Sequence, residues 1–363
     1  MVKRVYNFFA GPATLPLSVI ETASKNVLEF ENLGFSILEI SHRAKEFDNV
    51  IKEAQKDIKE LMGLGDNYHV LFLQGGASLQ FHMIPLNLME SNKPALYVNT
   101  GAWSKKAIKE SQILDKENTK VVASSEDKNF SYIPKEFDIE NNASYLHITT
   151  NNTIFGTEYH FIPETGDVPL IADMSSDILC RKLDFTKFAL IYAGAQKNLG
   201  PAGTTLVIIR DDMVKRCENK QLPTLLSYKT HVEKESLFNT PSVFAVYVVH
   251  LVLKWIKEEM GGLENVEKYN RKKAELLYSA IDEMNDFYRG TADKDSRSLM
   301  NVTFRLPNED LEKKFVSEAT ERELIGLKGH RSVGGIRASI YNAFPIEGVE
   351  KLVDFMREFR KNN

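Results

Sequence analysis

Lys197 stands in the stretch "YAGAQKNLGPAG", residues 192–203, among glycines and alanines and between two apolar runs, 188–191 and 204–209. A lysine in such surroundings has little to pair its charge. Desolvation lowers its pKa toward the neutral amine that Schiff-base chemistry requires. Three other groups follow apolar runs in the same manner. "QGGASLQ" puts Gly75 and Gly76 where the backbone can approach a ligand at the start of a helix, whose free N–H groups suit a phosphate. "VNTGAWSK" sets Trp103 at the opening of another helix, where its indole could stack on a planar ring. "IADMSSD" carries Asp173, an acid that could face a cationic ring nitrogen. Each alone has a plainer reading: a turn that needs glycine, ordinary packing, a helix cap, a solvated surface lysine. Together they meet the requirements of pyridoxal phosphate. Lys197 would hold it, Asp173 would keep its pyridine nitrogen protonated so that the ring withdraws electrons, and the glycine turn would take its phosphate. Once substrate displaces it, Lys197 is also placed to move a proton at the substrate α-carbon.

These residues need a frame, and the hydrophobic pattern describes one. From Phe47, apolar residues at Val50, Ile51, Ala54, Ile58, Leu61 and Met62 predict a helix that Gly63 stops. Short apolar runs then recur at 70–73, 95–98, 145–148, 169–172, 188–192 and 205–209, several leading into helix-like segments. That rhythm predicts a mainly parallel, buried sheet in an α/β domain, and such sheets bind ligands beyond the carboxyl ends of their strands. The character changes near Val243. An apolar helix to Gly261–Gly262, an amphipathic one from Leu263 to about Met284, strands near 302–306 and 335–341, a helix over 309–325 and a last one from Ile346 predict a smaller C-terminal α+β domain. The expected division is a large cofactor-binding domain over 16–255 and a small domain over 256–363, with residues 1–15 packing near the active site.

The strings "FFAGPATLP", "SHRAKEF", "FLQGGASLQF", "NTGAWSKKA", "TNNTIFGTEY", "IADMSSDILCRKLD", "YAGAQKNLGPAG", "FNTPSVFAVY" and "GHRSVGGIRASIYNA" follow one another along nearly the whole chain. In that order they resemble the signatures of the phosphoserine aminotransferase family, in the class V branch of fold type I pyridoxal-phosphate enzymes. The resemblance implies that Lys197 carries pyridoxal 5'-phosphate, Asp173 binds the pyridine nitrogen, Trp103 stacks on the ring and Thr153 bonds the ring hydroxyl. It implies that Gly76, Ala77 and Ser78, with Gln196, hold the cofactor phosphate. Asn239 and Thr240 of a partner subunit would complete that site, which makes a homodimer with shared active sites necessary. One departure matters: some relatives have an arginine directly after the paired glycines, where this chain has Ala77–Ser78–Leu79. Phosphate holding here would rest on backbone amides and the serine hydroxyl.

Two His-Arg pairs, His42–Arg43 and His330–Arg331, together with Arg337, bear on the substrate. A lone arginine is often a surface residue, and Arg43 could merely pair with Glu46 on its helix. An aminotransferase, however, must seat two amino-acid/keto-acid pairs in one site. L-glutamate and phosphoserine share an α-carboxylate that Arg337 could grip in a bidentate fork, and both end in an anionic group that one cluster of His42, Arg43, His330 and Arg331 could serve. The resemblance implies that this cluster is assembled across the dimer interface. The expected reaction passes the amino group of L-glutamate to 3-phosphohydroxypyruvate, as in serine biosynthesis. 4-Phosphohydroxy-L-threonine would fit the same pocket, adding a role in pyridoxal phosphate biosynthesis. A small-substrate class V transaminase would need fewer far-end cations. A cysteine desulfurase would need a reactive cysteine on a mobile loop, which neither Cys180 nor Cys217 offers. A binding protein that merely kept the fold could lose Lys197 or Asp173, and both are present.

The whole chain sets the remaining limits. Its 363 residues, 43% hydrophobic and 26% charged, can bury a large core. The net charge of -4, with both signs interleaved, gives no field for nucleic acid. The two cysteines have no zinc-ligand spacing, so no metal site is expected. The first apolar stretch is cut short by Gly11–Pro12, unlike a signal peptide, and Val243–Leu253 is too short to span a bilayer. A soluble, cytoplasmic protein is expected.

Overall fold

The apolar runs become the strands of a seven-stranded sheet in a computed structural model, which describes residues 4–218 and 220–363. The strands are β1 (Tyr68–Leu73), β2 (Ala95–Asn99), β3 (Thr119–Ser124), β4 (Tyr145–Thr149), β5 (Leu170–Asp173), β6 (Phe188–Gly194) and β7 (Thr205–Arg210). Their order is β1-β7-β6-β5-β4-β2-β3, and only β7 runs against its neighbours. The sheet is therefore mainly parallel, as its continuous apolar runs require. β3 is the one strand the runs did not announce. It lies at the sheet edge, and its exposed Lys120 and Val121 keep it from reading as a buried run.

Alternation along each strand splits the core into two layers. Leu71, Tyr97, Tyr145, Ile171 and Tyr192 face one side, while Val70, Phe72, Leu96, Leu146, Leu170 and Ala172 face the other. Helix α1 (Lys45–Met62) covers the second side with Val50, Ile51, Ala54, Ile58 and Met62. It ends where expected, at Gly63 with φ 65°, and the Leu64 amide closes the last turn on the Lys59 carbonyl. Helices α2 (Gly76–Leu88) and α3 (Ala102–Leu114) cover the first side. α4 (Val243–Lys254) passes into a wider π-helical turn, Trp255–Glu259, before Gly261. Among the described residues no helix is long and apolar enough to cross a membrane.

The smaller C-terminal α+β domain has an antiparallel sheet of β8 (Arg289–Gly290), β9 (Asn301–Arg305) and β10 (Ile336–Ser339), packed with α5 (Leu263–Glu283), α6 (Glu309–Glu321) and α7 (Ile346–Asn362). Its core is rich in aromatic edges: Tyr288, Phe304, Phe315 and Phe359. The helix expected over 309–325 stops at Glu321. Glu323 takes φ 67°, and Leu324–Ile325 leave the helix to pair in parallel with Tyr6–Asn7. A tertiary strand partner from the far end of the chain overrides the local helical pattern there.

Gly156 joins the two domains. It has φ 74°, and a Cβ at this position would run into Thr303 Oγ1 of β9 and lie 2.9 Å from the Asn301 carbonyl oxygen. Gly156→Ala is expected to lower stability by about 2–4 kcal/mol through left-handed strain and overpacking. Denaturant unfolding checks this, and an unchanged midpoint would contradict it.

Candidate active site

Register brings the chemistry to one edge. Thr149, Asp173 and Tyr192 stand side by side where β4, β5 and β6 reach their carboxyl ends. Asp173 is buried, and its Oδ1 accepts from the Ser175 amide at 2.9 Å and the Ser175 hydroxyl at 2.6 Å. Burial raises the Asp173 pKa, and the neighbouring Lys197 charge pulls it back down. Lys197 lies in the loop after β6. Its Nζ donates to Thr153 Oγ1 at 2.7 Å and sits 4.9 Å from the centre of the Trp103 ring. Burial lowers its pKa to about 8, against the pull of Asp173 and with the help of Arg337. A tenth or so of such an amine is unprotonated at about pH 7, where an ordinary lysine is almost wholly charged.

The loop itself is held on three sides. Asn198 donates to the Ile178 carbonyl at 2.7 Å and accepts from the Asn342 amide at 2.9 Å, tying the loop to both domains. The Ala13 amide bonds the Gln196 carbonyl at 3.0 Å, and Gly11 packs against the Lys197 side chain. Gly11 and Ala13 thus lie against the Lys197 loop, Tyr6–Asn7 pair with Leu324–Ile325 instead, and Met1–Lys3 fall outside the described residues.

After β1, Gly75 and Gly76 take φ 89° and 63° and lead into α2, whose N-terminus has no side-chain cap. The Ala77 and Ser78 amides therefore open onto a helix end of the kind that binds anions. A Cβ at Gly76 would meet nothing within 4 Å, so there is room at this turn. Asn239 donates to Gln74 at 3.1 Å, and Gln74 reaches the Thr240 carbonyl at 3.4 Å, which puts that pair beside the same turn of its own chain. A buried acid, a lysine amine, an aromatic plate and an uncapped helix end fit a planar, phosphorylated, aldehyde-bearing cofactor. The indole Nε1 of Trp103, buried with no protein partner, adds to that fit.

Cations gather at the mouth. Arg337, on β10, reaches the Thr153 carbonyl at 3.4 Å, and its buried Nε has no partner. His330 feels the charges of Arg337, Arg331 and Lys106, which with burial hold its pKa down. A cleft of about 480 Å³ opens here, lined by Lys128, Arg289, Thr303, Arg305, His330 and Arg337 among others, with no acidic residue along it among the described residues. Within one chain, Arg337 lies in the field of Lys197, and His330 in that of Arg337 and Arg331. The structure does not bring His42 and Arg43 into contact with them; those two lie on the turn before α1.

Several residues escaped the sequence reading. Ser175, two positions after Asp173, makes a side-chain turn that "DMSS" could have announced. Lys106, one turn beyond Trp103, holds its Nζ 4.4 Å from the indole centre, and i,i+3 spacing foretells that contact. The Asn198–Asn342 bond spans the two domains and leaves no local signal.

Comparison with known proteins agrees with this geometry. The aminotransferase class-V family matches residues 5–352. A phosphoserine aminotransferase of Desulfatibacillum aliphaticivorans is 60% identical over all of both chains. The structure of phosphoserine aminotransferase from Bacillus circulans subsp. alkalophilus superposes with a TM-score of 0.96 at 52% identity, covering 99% of each chain. A phosphoserine aminotransferase structure described for radiation damage of its Schiff base gives 0.97 at 49% identity over all of both chains. With the family matched nearly end to end and its fold shared throughout, the chain belongs to the class-V aminotransferases, among their phosphoserine aminotransferases.

Proposed function

We propose that this protein transfers the amino group of L-glutamate to 3-phosphohydroxypyruvate, giving 2-oxoglutarate and O-phospho-L-serine, with pyridoxal 5'-phosphate as its cofactor and serine biosynthesis as its setting. The observation that carries the reading is a lysine amine of lowered pKa, bonded to Thr153 beside Trp103 and Asp173, with Arg337 of the cation-lined cleft bonded to the same Thr153. When bound, the cofactor supplies an electron sink for the α-carbon of the substrate.

The chain's own residues do the rest. Lys197 holds the cofactor and, when released, moves the proton at the substrate α-carbon. Asp173 faces the ring nitrogen, Trp103 stacks on the ring and Thr153 bonds the ring hydroxyl. Gly76, Ala77, Ser78 and Gln196 hold the phosphate. Arg337 grips the α-carboxylate common to both substrates. His330 and Arg331, with His42 and Arg43 of a second copy, take the far-end phosphate or carboxylate, and Asn239 and Thr240 serve the partner's phosphate site. Exposed Leu28, Leu33, Phe35 and Leu38, close in sequence to His42, support a homodimer that covers this face. Two buried, free cysteines suit a reducing cytoplasm. The large domain is taken as 16–255 and the small one as 256–363, divided at the wide turn after α4.

The test is a visible absorption titration of the purified, cofactor-loaded protein. O-phospho-L-serine and L-glutamate should each convert the yellow band to the amine form of the cofactor, and L-alanine should not. A protein that stays colourless after addition of pyridoxal phosphate would overturn the cofactor, and one answering only to alanine would overturn the substrates.

A further inference from the structure

The small domain holds a buried acid that the reaction as proposed does not use. Glu312, in the first turn of α6, is 7% exposed. Asn308 caps that helix by accepting from the Leu311 amide at 2.9 Å, and Phe315 and Ala319 sink it into the small-domain core, so Glu312 stands on a fixed element. Its Oε1 accepts from Arg305 Nε at 2.5 Å and from the Leu306 amide at 3.4 Å, and its Oε2 accepts from the Gly335 amide at 3.1 Å. Arg305, the last residue of β9, uses another nitrogen, Nη1, to donate to the Val333 carbonyl at 2.9 Å. One ion pair thus holds the turn 329–335 at two points.

That turn carries His330 and Arg331. Its ends are drawn together: the Gly329 amide donates to the Gly335 carbonyl at 2.8 Å, and a Cβ on Gly329 would lie 1.9 Å from the Gly334 carbonyl oxygen. Gly335 takes φ 71°, and a Cβ there would lie 2.7 Å from Arg305 Cδ, so the turn sits directly on the arginine stem. Inside it, the Val333 and Gly334 amides both donate to the His330 carbonyl, at 3.0 and 2.9 Å. The Ser332 amide donates to His330 Nδ1 at 3.3 Å, and the Ser332 hydroxyl lies 2.7 Å from the same nitrogen. Nδ1 is therefore an acceptor, and Nε2 carries the proton of the ring. Among the described residues, the hydrogen bonds that join 330–335 to elements outside their own turn go to Arg305 and Glu312.

We infer that the Arg305–Glu312 pair fixes the place of the His330–Arg331 turn and so sets the affinity of the site for the far-end anion of its substrates. Both are positioning residues, because they bond the turn. A hydrogen bond between ionised partners is stronger and more directional than a neutral one, which suits a pair that must hold a short turn of two cationic side chains against a cleft. Arg305 lines that cleft, but its Nε and Nη1 are taken up by Glu312 and Val333. The inference rests on the reading that His330 and Arg331 hold the far-end phosphate or carboxylate.

The test is steady-state kinetics of the cofactor-loaded enzyme with O-phospho-L-serine and with L-glutamate, with a melting curve for each variant. Arg331→Gln should raise both KM values by about 10- to 100-fold, the range for a hydrogen bond to a charged group. Glu312→Ala should raise the same two values by about tenfold or more and leave kcat within about threefold, the mark of lost binding rather than lost chemistry. Glu312→Gln keeps an oxygen acceptor for one of its partners and should recover part of the loss; it replaces Glu312→Ala throughout if the alanine variant does not fold. The deciding measurement is the double variant Glu312→Ala/Arg331→Gln. If Glu312 acts through the turn, the combined rise in KM should fall well short of the product of the two single effects. A combined rise within about twofold of that product means independent action and overturns the inference, as does an unchanged KM in Glu312→Ala beside a raised one in Arg331→Gln. Unchanged KM values in Arg331→Gln itself overturn the far-end reading, and the inference with it.

Discussion

Lys197→Ala is expected to leave a folded protein with no measurable transamination, kcat falling by about 10⁴-fold or more. On the proposed roles two functions would go at once: the amine that holds the cofactor, and the base that moves the α-proton from a bound substrate. The fold should not suffer. Lys197 has its pKa lowered to about 8 by burial, so in the cofactor-free protein its folded pKa lies below the unfolded one of 10.5. Between those values the unfolded chain binds the extra proton, and stability rises with pH. Below about 8, keeping the lysine charged in its loop costs stability, and alanine removes that cost. The melting temperature of the cofactor-free variant at pH 7 should therefore equal or exceed that of the parent. Lys197→Arg should be equally inactive, since guanidinium stays charged and cannot be the neutral nucleophile. Turnover near normal in Lys197→Ala would sink the assignment.

The frame for this lysine was largely legible in the amino-acid sequence because its strands are buried on both faces. Val70–Leu73 and Phe188–Tyr192 read as continuous apolar runs, and each is followed by the residues that matter. Local chemistry reached Gly75–Gly76, Trp103, Asp173 and Lys197 because strand ends in a parallel sheet converge on one edge. What stayed hidden depends on register or on distant segments. Nothing near Tyr192 says that its hydroxyl meets His147, 45 positions earlier. Nothing in 309–325 says that Leu324–Ile325 will pair with the chain's first strand, Tyr6–Asn7. The same limit applies to His42 and Arg43, whose proposed contribution would need a second copy of the chain.

Arg337→Ala tests the substrate side, and its effect should be nearly as large. Arg337 comes from β10 of the small domain, yet it touches Thr153, the same residue that accepts from Lys197. Its Nε is buried with no protein partner, and burial lowers its pKa, so a carboxylate placed there would satisfy a donor that is otherwise unmet. Removing one member of such a buried pair costs about 2–5 kcal/mol, a loss of roughly 30- to 5,000-fold in kcat/KM. Because L-glutamate and O-phospho-L-serine present the same α-carboxylate, the loss should be equal for the two within about threefold. Steady-state kinetics with each substrate in turn gives the answer. Equal losses put Arg337 on the shared end of both substrates. A loss confined to phosphoserine would instead place Arg337 at the phosphate, and the α-carboxylate would then have to be held by another donor at the mouth, such as His330 or Lys106.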